Sequence, residues 1–204
     1  MKKYLAAISA TALISVAPFA LAASSTELTV TGFITPSACE MSLSSGGIID
    51  VGDLQMKDLN PTTFTLVNAT PLELAVACDA PALFAINAID NNPGTSWNGS
   101  GYGLGLVGDD IKLGGFTPAI TRVTADGVSA RAIQSVDGTG WTATPGLFPA
   151  MLTSTAALGT LEPIPVENLQ MNLMVRTWIT PAENLPATEE ITIDGSATFE
   201  VKYL

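Results

Sequence analysis

The chain has 204 residues, with 8 basic against 19 acidic side chains, no histidine, and 47% apolar residues against 13% charged ones. That balance leaves no electrostatic footprint for nucleic acid or for an anionic membrane surface. Lacking histidine, the chain has neither the commonest general base nor the commonest metal ligand, and no Ser-His or Cys-His nucleophile, so it reads as non-enzymatic, without cofactor or metal.

Lys2 and Lys3, an apolar run from Leu5 to Val16 and the small-x-small triplet Ala20-Leu21-Ala22 form a secretory signal over residues 1–22, cleaved before Ala23. The alternative, a membrane anchor, fits less well because the run is short and Pro18 breaks it. After cleavage six basic side chains face the 19 acidic ones, a balance that keeps an exported β-rich chain soluble. The roughly 180 residues that remain suit one domain, here 36–204 after an N-terminal extension, 23–35. Export places Cys39 and Cys78 in an oxidising compartment, so a disulfide between them is expected, and a catalytic thiol would have no histidine as its base.

In chain order, Thr26–Ile34 alternates as a strand with Leu28, Val30, Gly32 and Ile34 on one face. A Ser/Gly-rich turn, Ser42–Gly47, and a short apolar piece, IIDVG, lead to a strand at Thr62–Val67. A turn is expected at Asn68–Pro71, followed by LELAVAC, in which Leu72, Leu74, Val76 and Cys78 share the core face. An apolar strand, Ala82–Ile89, runs into a loop, Asp90–Gly101; GYGLGLVG, a turn at Asp109-Asp110 and IKLGGF then read as a hairpin. Further strands fall at Ala119–Thr124, Val128–Ser135 and Leu169–Thr180, whereas Gly138–Glu167 yields no assignment. The last strand alternates Ala197, Phe199, Val201 and Tyr203 before Leu204. Many short strands with Pro and Gly between them give an all-β sandwich, and the first and last strands read as an edge lent and an edge borrowed. The competing arrangement pairs Thr26–Ile34 within its own domain.

Four patterns hint at chemistry. Gly103, Gly105 and Gly108 have dinucleotide-loop spacing, but Asp109 and Asp110 follow where a helix would have to begin, so the glycines read as sites of close strand packing or bulges. Asp90-Asn91-Asn92 and Asp109-Asp110 offer oxygen ligands for calcium without the spacing of a dedicated loop, and read as turns. Pairs of carboxylates leave a periplasmic hydrolase as one alternative function, though no motif singles out any two. Trp97, Trp141 and Trp178 leave a secreted carbohydrate-binding module as another, through a sugar-stacking platform.

The ordered set of ELTVTG, ITPSAC, the Cys39 to Cys78 spacing, DGSAT and ATFEVKYL resembles subunits of chaperone-usher fimbriae, in particular the larger uncharacterised fimbrial-like proteins with an ITPSAC start and a DGSAT end. The resemblance spans the mature chain. It implies an immunoglobulin-like sandwich that lacks its last strand and is completed by donor-strand exchange. Leu28, Val30, Gly32 and Ile34 would be the donor face; Ala197, Phe199, Val201 and Tyr203 would flank the acceptor groove; and the Leu204 carboxylate would meet a chaperone's basic residues. The implied partners are a periplasmic chaperone, an outer-membrane usher and neighbouring fimbrial subunits, with transit through the periplasm to a fimbrium at the cell surface and a role in adhesion or biofilm, the surface or host glycan being unspecified. Where many pilins carry a glycine fourteen residues from the end, this chain has Ile191, with Gly195 nearest.

Overall fold

The computed structural model describes residues 38–186 and 190–204. The expected signal segment and the Leu28, Val30, Gly32 and Ile34 face lie outside the described residues. The strands are β1 (Cys39–Leu43), β2 (Thr65–Ala82), β3 (Phe84–Asp90), β4 (Tyr102–Gly103), β5 (Leu106–Val107), β6 (Ile111–Lys112), β7 (Gly114–Ala125), β8 (Val128–Ser135), β9 (Thr142–Ala143), β10 (Leu152–Ala157), β11 (Val166–Ile179) and β12 (Ala197–Tyr203). Helix among the described residues is confined to three short 3₁₀ turns. The fold is all-β.

One antiparallel sheet runs in the order β1-β2-β11-β7-β8-β10-β3-β12, with β4 added on β7 and β9 on β8, and β5-β6 form the separate hairpin read from the sequence. The sheet bends back on itself at β7–β8, where pairing is limited to Val123–Ala125 against Val128–Ala130. The turn there is Asp126-Gly127, both at positive φ (48° and 78°), the conformation that a two-residue hairpin requires. Folding over brings Leu74, Met171 and Val123 from one layer against Phe84, Ile86 and Ala132 from the other, in a single apolar core. This is a sandwich whose two layers belong to one nearly closed sheet.

The central seam is β2–β11–β7. In β11, Leu169, Met171, Leu173 and Val175 are buried while Gln170, Asn172 and Arg176 are exposed, the period of two that makes one face core. The expected turn at Asn68–Pro71 is absent: β2 continues through it as an 18-residue strand. Val67 is skipped in the pairing with β11, so the NAT-P signal marks a bulge rather than a reversal. Pro71 is tolerated because of where its nitrogen points. The Glu73 N–H donates to Ser44 Oγ on the β1 side (2.9 Å), and Pro71, two residues earlier, faces the same way past the last β1 pair, Leu43–Leu74, where no ladder partner is lost.

The unassigned stretch, 138–167, holds β9 and β10. β10 is buried yet carries Thr153, Ser154 and Thr155 in place of aliphatic residues, which hid it from hydropathy. The Ser154 hydroxyl meets the burial requirement by donating to the Phe84 carbonyl at 2.6 Å.

Candidate functional site

The two ends of the sheet order, β1 and β12, lie side by side without a ladder between them. The Cys39 N–H donates to the Tyr203 hydroxyl at 3.0 Å, tying the strands together at one end. From there the walls run in opposite directions and part. β1 continues into an extended flank through Ile49, Val51, Leu54 and Met56, and β12 is preceded by Glu190–Ser196, in which Ile191 and Ile193 keep the inward alternation of Ala197, Phe199 and Val201.

Between these walls lies a groove of two adjoining chambers whose lining side chains are mostly apolar. The first, about 300 Å³, has Leu43, Ile49 and Val51 on one side, Ile193, Ala197 and Phe199 on the other, and Leu72, Leu173 and Val175 of the seam as its floor. The second, about 540 Å³, shares Asp50, Val51 and Ile193 with the first and continues over Leu59, Leu113 and Ile179 to Ile191. Covering a large aliphatic side chain in such a space is worth about 1.5–3 kcal/mol before ordering costs. Gly195 sits where the β12 wall is pressed onto the floor. A Cβ there would come within 2.5 Å of Leu104 Cδ2 and 3.1 Å of both the Gly103 carbonyl and the Phe116 ring.

The floor is held by aromatic packing. Tyr102 is fully buried, stacked on Phe116 at 5.0 Å and edge-on to Phe199 at 6.1 Å. Burial, and secondarily the Asp90 carboxylate, pushes its phenol well above the ordinary tyrosine range, so it stays neutral. β1 is anchored by the Cys39–Cys78 disulfide, which joins residues directly opposite in the β1–β2 register.

Of the residues read as the acceptor strand, Ala197, Phe199 and Val201 face inward as expected. Tyr203 departs from the pattern: its side chain is 39% exposed and it closes the groove's end through its hydroxyl instead of lining it. Leu204 is exposed, its N–H donating to the Leu83 carbonyl at 3.0 Å. Sequence reasoning missed the flanks Ile49–Met56 and Ile191–Ile193, which lengthen the groove. The alternation of Ile191 and Ile193 with Thr192 and Asp194 was the available signal.

The other candidate sites resolve differently. A Cβ on Gly103 would collide with Thr95 and Asn92 of the preceding loop, so of the three only this glycine is closely packed, whereas Gly105 and Gly108 take positive φ. Asp90 accepts from the Asn92 and Gly103 N–H groups (3.0 and 3.2 Å), so it serves a turn, and no metal-ligand cluster occurs among the described residues. Trp97 packs on Phe64 at 4.8 Å and on Trp178 at 6.5 Å beside a shallow hollow with Lys112 and Asn184, whereas Trp141 enters no ring contact among the described residues. The three tryptophans therefore do not make one platform.

A family model described as a protein of unknown function (DUF1120) matches residues 28–125. The chain is similar over 100% of its length to Protein GltF of Escherichia coli (strain K12), 27% identical across 251 aligned positions that cover 99% of that protein. It is also similar to Uncharacterized protein YhcF of the same strain, 25% identical across 207 positions covering 82% of this chain and 86% of that protein.

Proposed function

We propose that this chain is a non-catalytic structural subunit of a chaperone-usher fimbria, exported through the periplasm and joined to its neighbours by strand donation at the cell surface. The observation that carries this reading is the groove: two sheet-end strands, each laddered to one neighbour among the described residues, flank a trough lined by apolar side chains whose floor is the core itself. A single extended segment with alternating apolar residues would add a ladder to each wall and fill the trough. A periplasmic chaperone strand would occupy it first, and the Leu28, Val30, Gly32 and Ile34 face of another subunit afterwards. An immunoglobulin-like sandwich short of one strand is the form that such a subunit takes before completion.

The experiment is a fusion. A copy of Thr26–Ser37 appended through a flexible linker to the mature chain should give a soluble monomer with a Tm raised by 10 °C or more, about 2.5–5 kcal/mol for a domain of this size. The same fusion with Leu28→Asp and Val30→Asp should lose the gain. A mature chain that is already a cooperatively unfolding monomer, unaffected by the fusion, would overturn the proposal.

A further inference from the structure

The groove's second chamber is charged at its rim in one sense. Asp50, Asp53 and Glu190 all border it. The Asp50 side chain is partly engaged, accepting from the Gly52 N–H at 2.8 Å. The nearest cation along the flank is Lys57, exposed just past Met56 and followed by Asp58. An apolar trough with acidic lips attracts an occupant that places a cation at that end and disfavours one that brings a further carboxylate there.

The chain's own strand-like segment is poorly matched to this. From Tyr4 to Met56 the sequence has no lysine or arginine, and the segment itself carries Glu27. It is also short. The inward residues of the β12 wall run from Ile191 to Val201, a span of roughly 33 Å in extended chain, against roughly 20 Å from Leu28 to Ile34. Beyond those residues come Glu27 on one side and Thr35-Pro36 on the other, so the apolar face covers only part of the trough.

Building on the strand-receptor reading, we propose that the groove's preferred occupant is an extended segment of a different polypeptide, one with a longer apolar alternation and a lysine or arginine where it passes Asp50, Asp53 and Glu190. The chain then joins to an unlike partner in preference to another copy of itself.

Three synthetic peptides test this against the full mature chain by fluorescence anisotropy: TELTVTGFITPS as it stands in the sequence, the same peptide with Glu27→Lys, and the same with Ser37→Lys. The peptide that brings lysine to the acidic chamber should bind about two- to fivefold tighter than the parent at low salt, an advantage that fades as added salt shortens the screening length to about 3 Å. Reversing the rim with Asp53→Lys and Glu190→Lys together should invert the order, so that the parent binds best. If the parent binds and neither lysine peptide gains, or if rim reversal leaves the order unchanged, the charge-selection proposal falls while the strand-receptor reading stands. If none of the three binds, both fall.

Discussion

The seam β2–β11–β7 and the pair of sheet ends β1 and β12 are built from the same alternating chemistry but do opposite things with it. In the seam, strands of 18, 14 and 12 residues satisfy one another, and β11 is paired along both edges. At the ends, strands of 5 and 7 residues each ladder with one neighbour among the described residues, and their inward side chains pack on the core while Leu43, Ala197 and Phe199 also border the trough. Stability is therefore concentrated where the sheet is complete, and the proposed strand receptor lies where it is not. The disulfide lies at the junction, holding a short end strand to the seam.

The largest effect should come from the seam. Met171→Asp places an unpaired carboxylate in fully buried core, a cost of several kcal/mol, and should abolish accumulation of soluble protein, read as soluble yield. Next, Cys39→Ser with Cys78→Ser releases a loop closed across 39 residues of sequence, worth about 4 kcal/mol in the chain-entropy account. Denaturant titration should show the loss as a lower midpoint. Phe199→Glu sharpens the contrast because it alters the groove wall while leaving the seam's own residues in place. Strand-peptide binding should fall by more than tenfold, with far-ultraviolet circular dichroism retained; unchanged binding would mean that the trough is not the receptor.

A smaller effect is expected at the β7–β8 corner. Asp126 accepts from the backbone N–H groups of Glu167 and Asn168 (3.1 and 2.7 Å), so Asp126→Ala should lower stability by about 1–2 kcal/mol. The smallest is at Asp137, exposed after β8, where hydrogen bonds from the Thr139 backbone and hydroxyl hold the carboxyl below its usual range. Such a depressed group favours the folded state above the unfolded-chain value, near pH 3.9, and that contribution disappears as pH falls through the folded value. A carbon-detected titration should place Asp137 below ordinary aspartate, and Thr139→Val should move it back up.

Much of the seam was legible. Leu169–Thr180 reads as one long apolar strand and falls on β11, and outside the seam β8 begins and ends as the sequence reading has it. The inward turn of Cys78 followed from its alternation with Leu72, Leu74 and Val76. What was hidden has physical causes. The Asn68–Pro71 cluster has turn composition, yet its proline nitrogen lies beyond the reach of β1, a fact of register that no local pattern contains. β10 is buried with three hydroxyl residues where hydropathy looks for aliphatic ones, and the partner of Ser154, the Phe84 carbonyl, is far away in sequence. The groove was half legible: Ala197, Phe199 and Val201 declare one wall, but the flank from Ile49 to Met56 is irregular and becomes a wall only because β1 carries it alongside Ile193.

Pro71 has a further consequence for aggregation. Past Leu74 the outer side of β2 has no ladder partner in β1; the flank beside it is held through side chains, with Asn68 Nδ2 donating to the Asp50 carbonyl at 3.2 Å and Ser44 Oγ taking the Glu73 N–H. A bare strand margin of that length would be a template on which stray chains could stack. A proline in the middle of it removes one of the donors that such stacking requires, so indiscriminate sheet growth is discouraged there. Among the described residues the trough between β1 and β12 keeps such a margin, while sheet growth is discouraged along this part of β2.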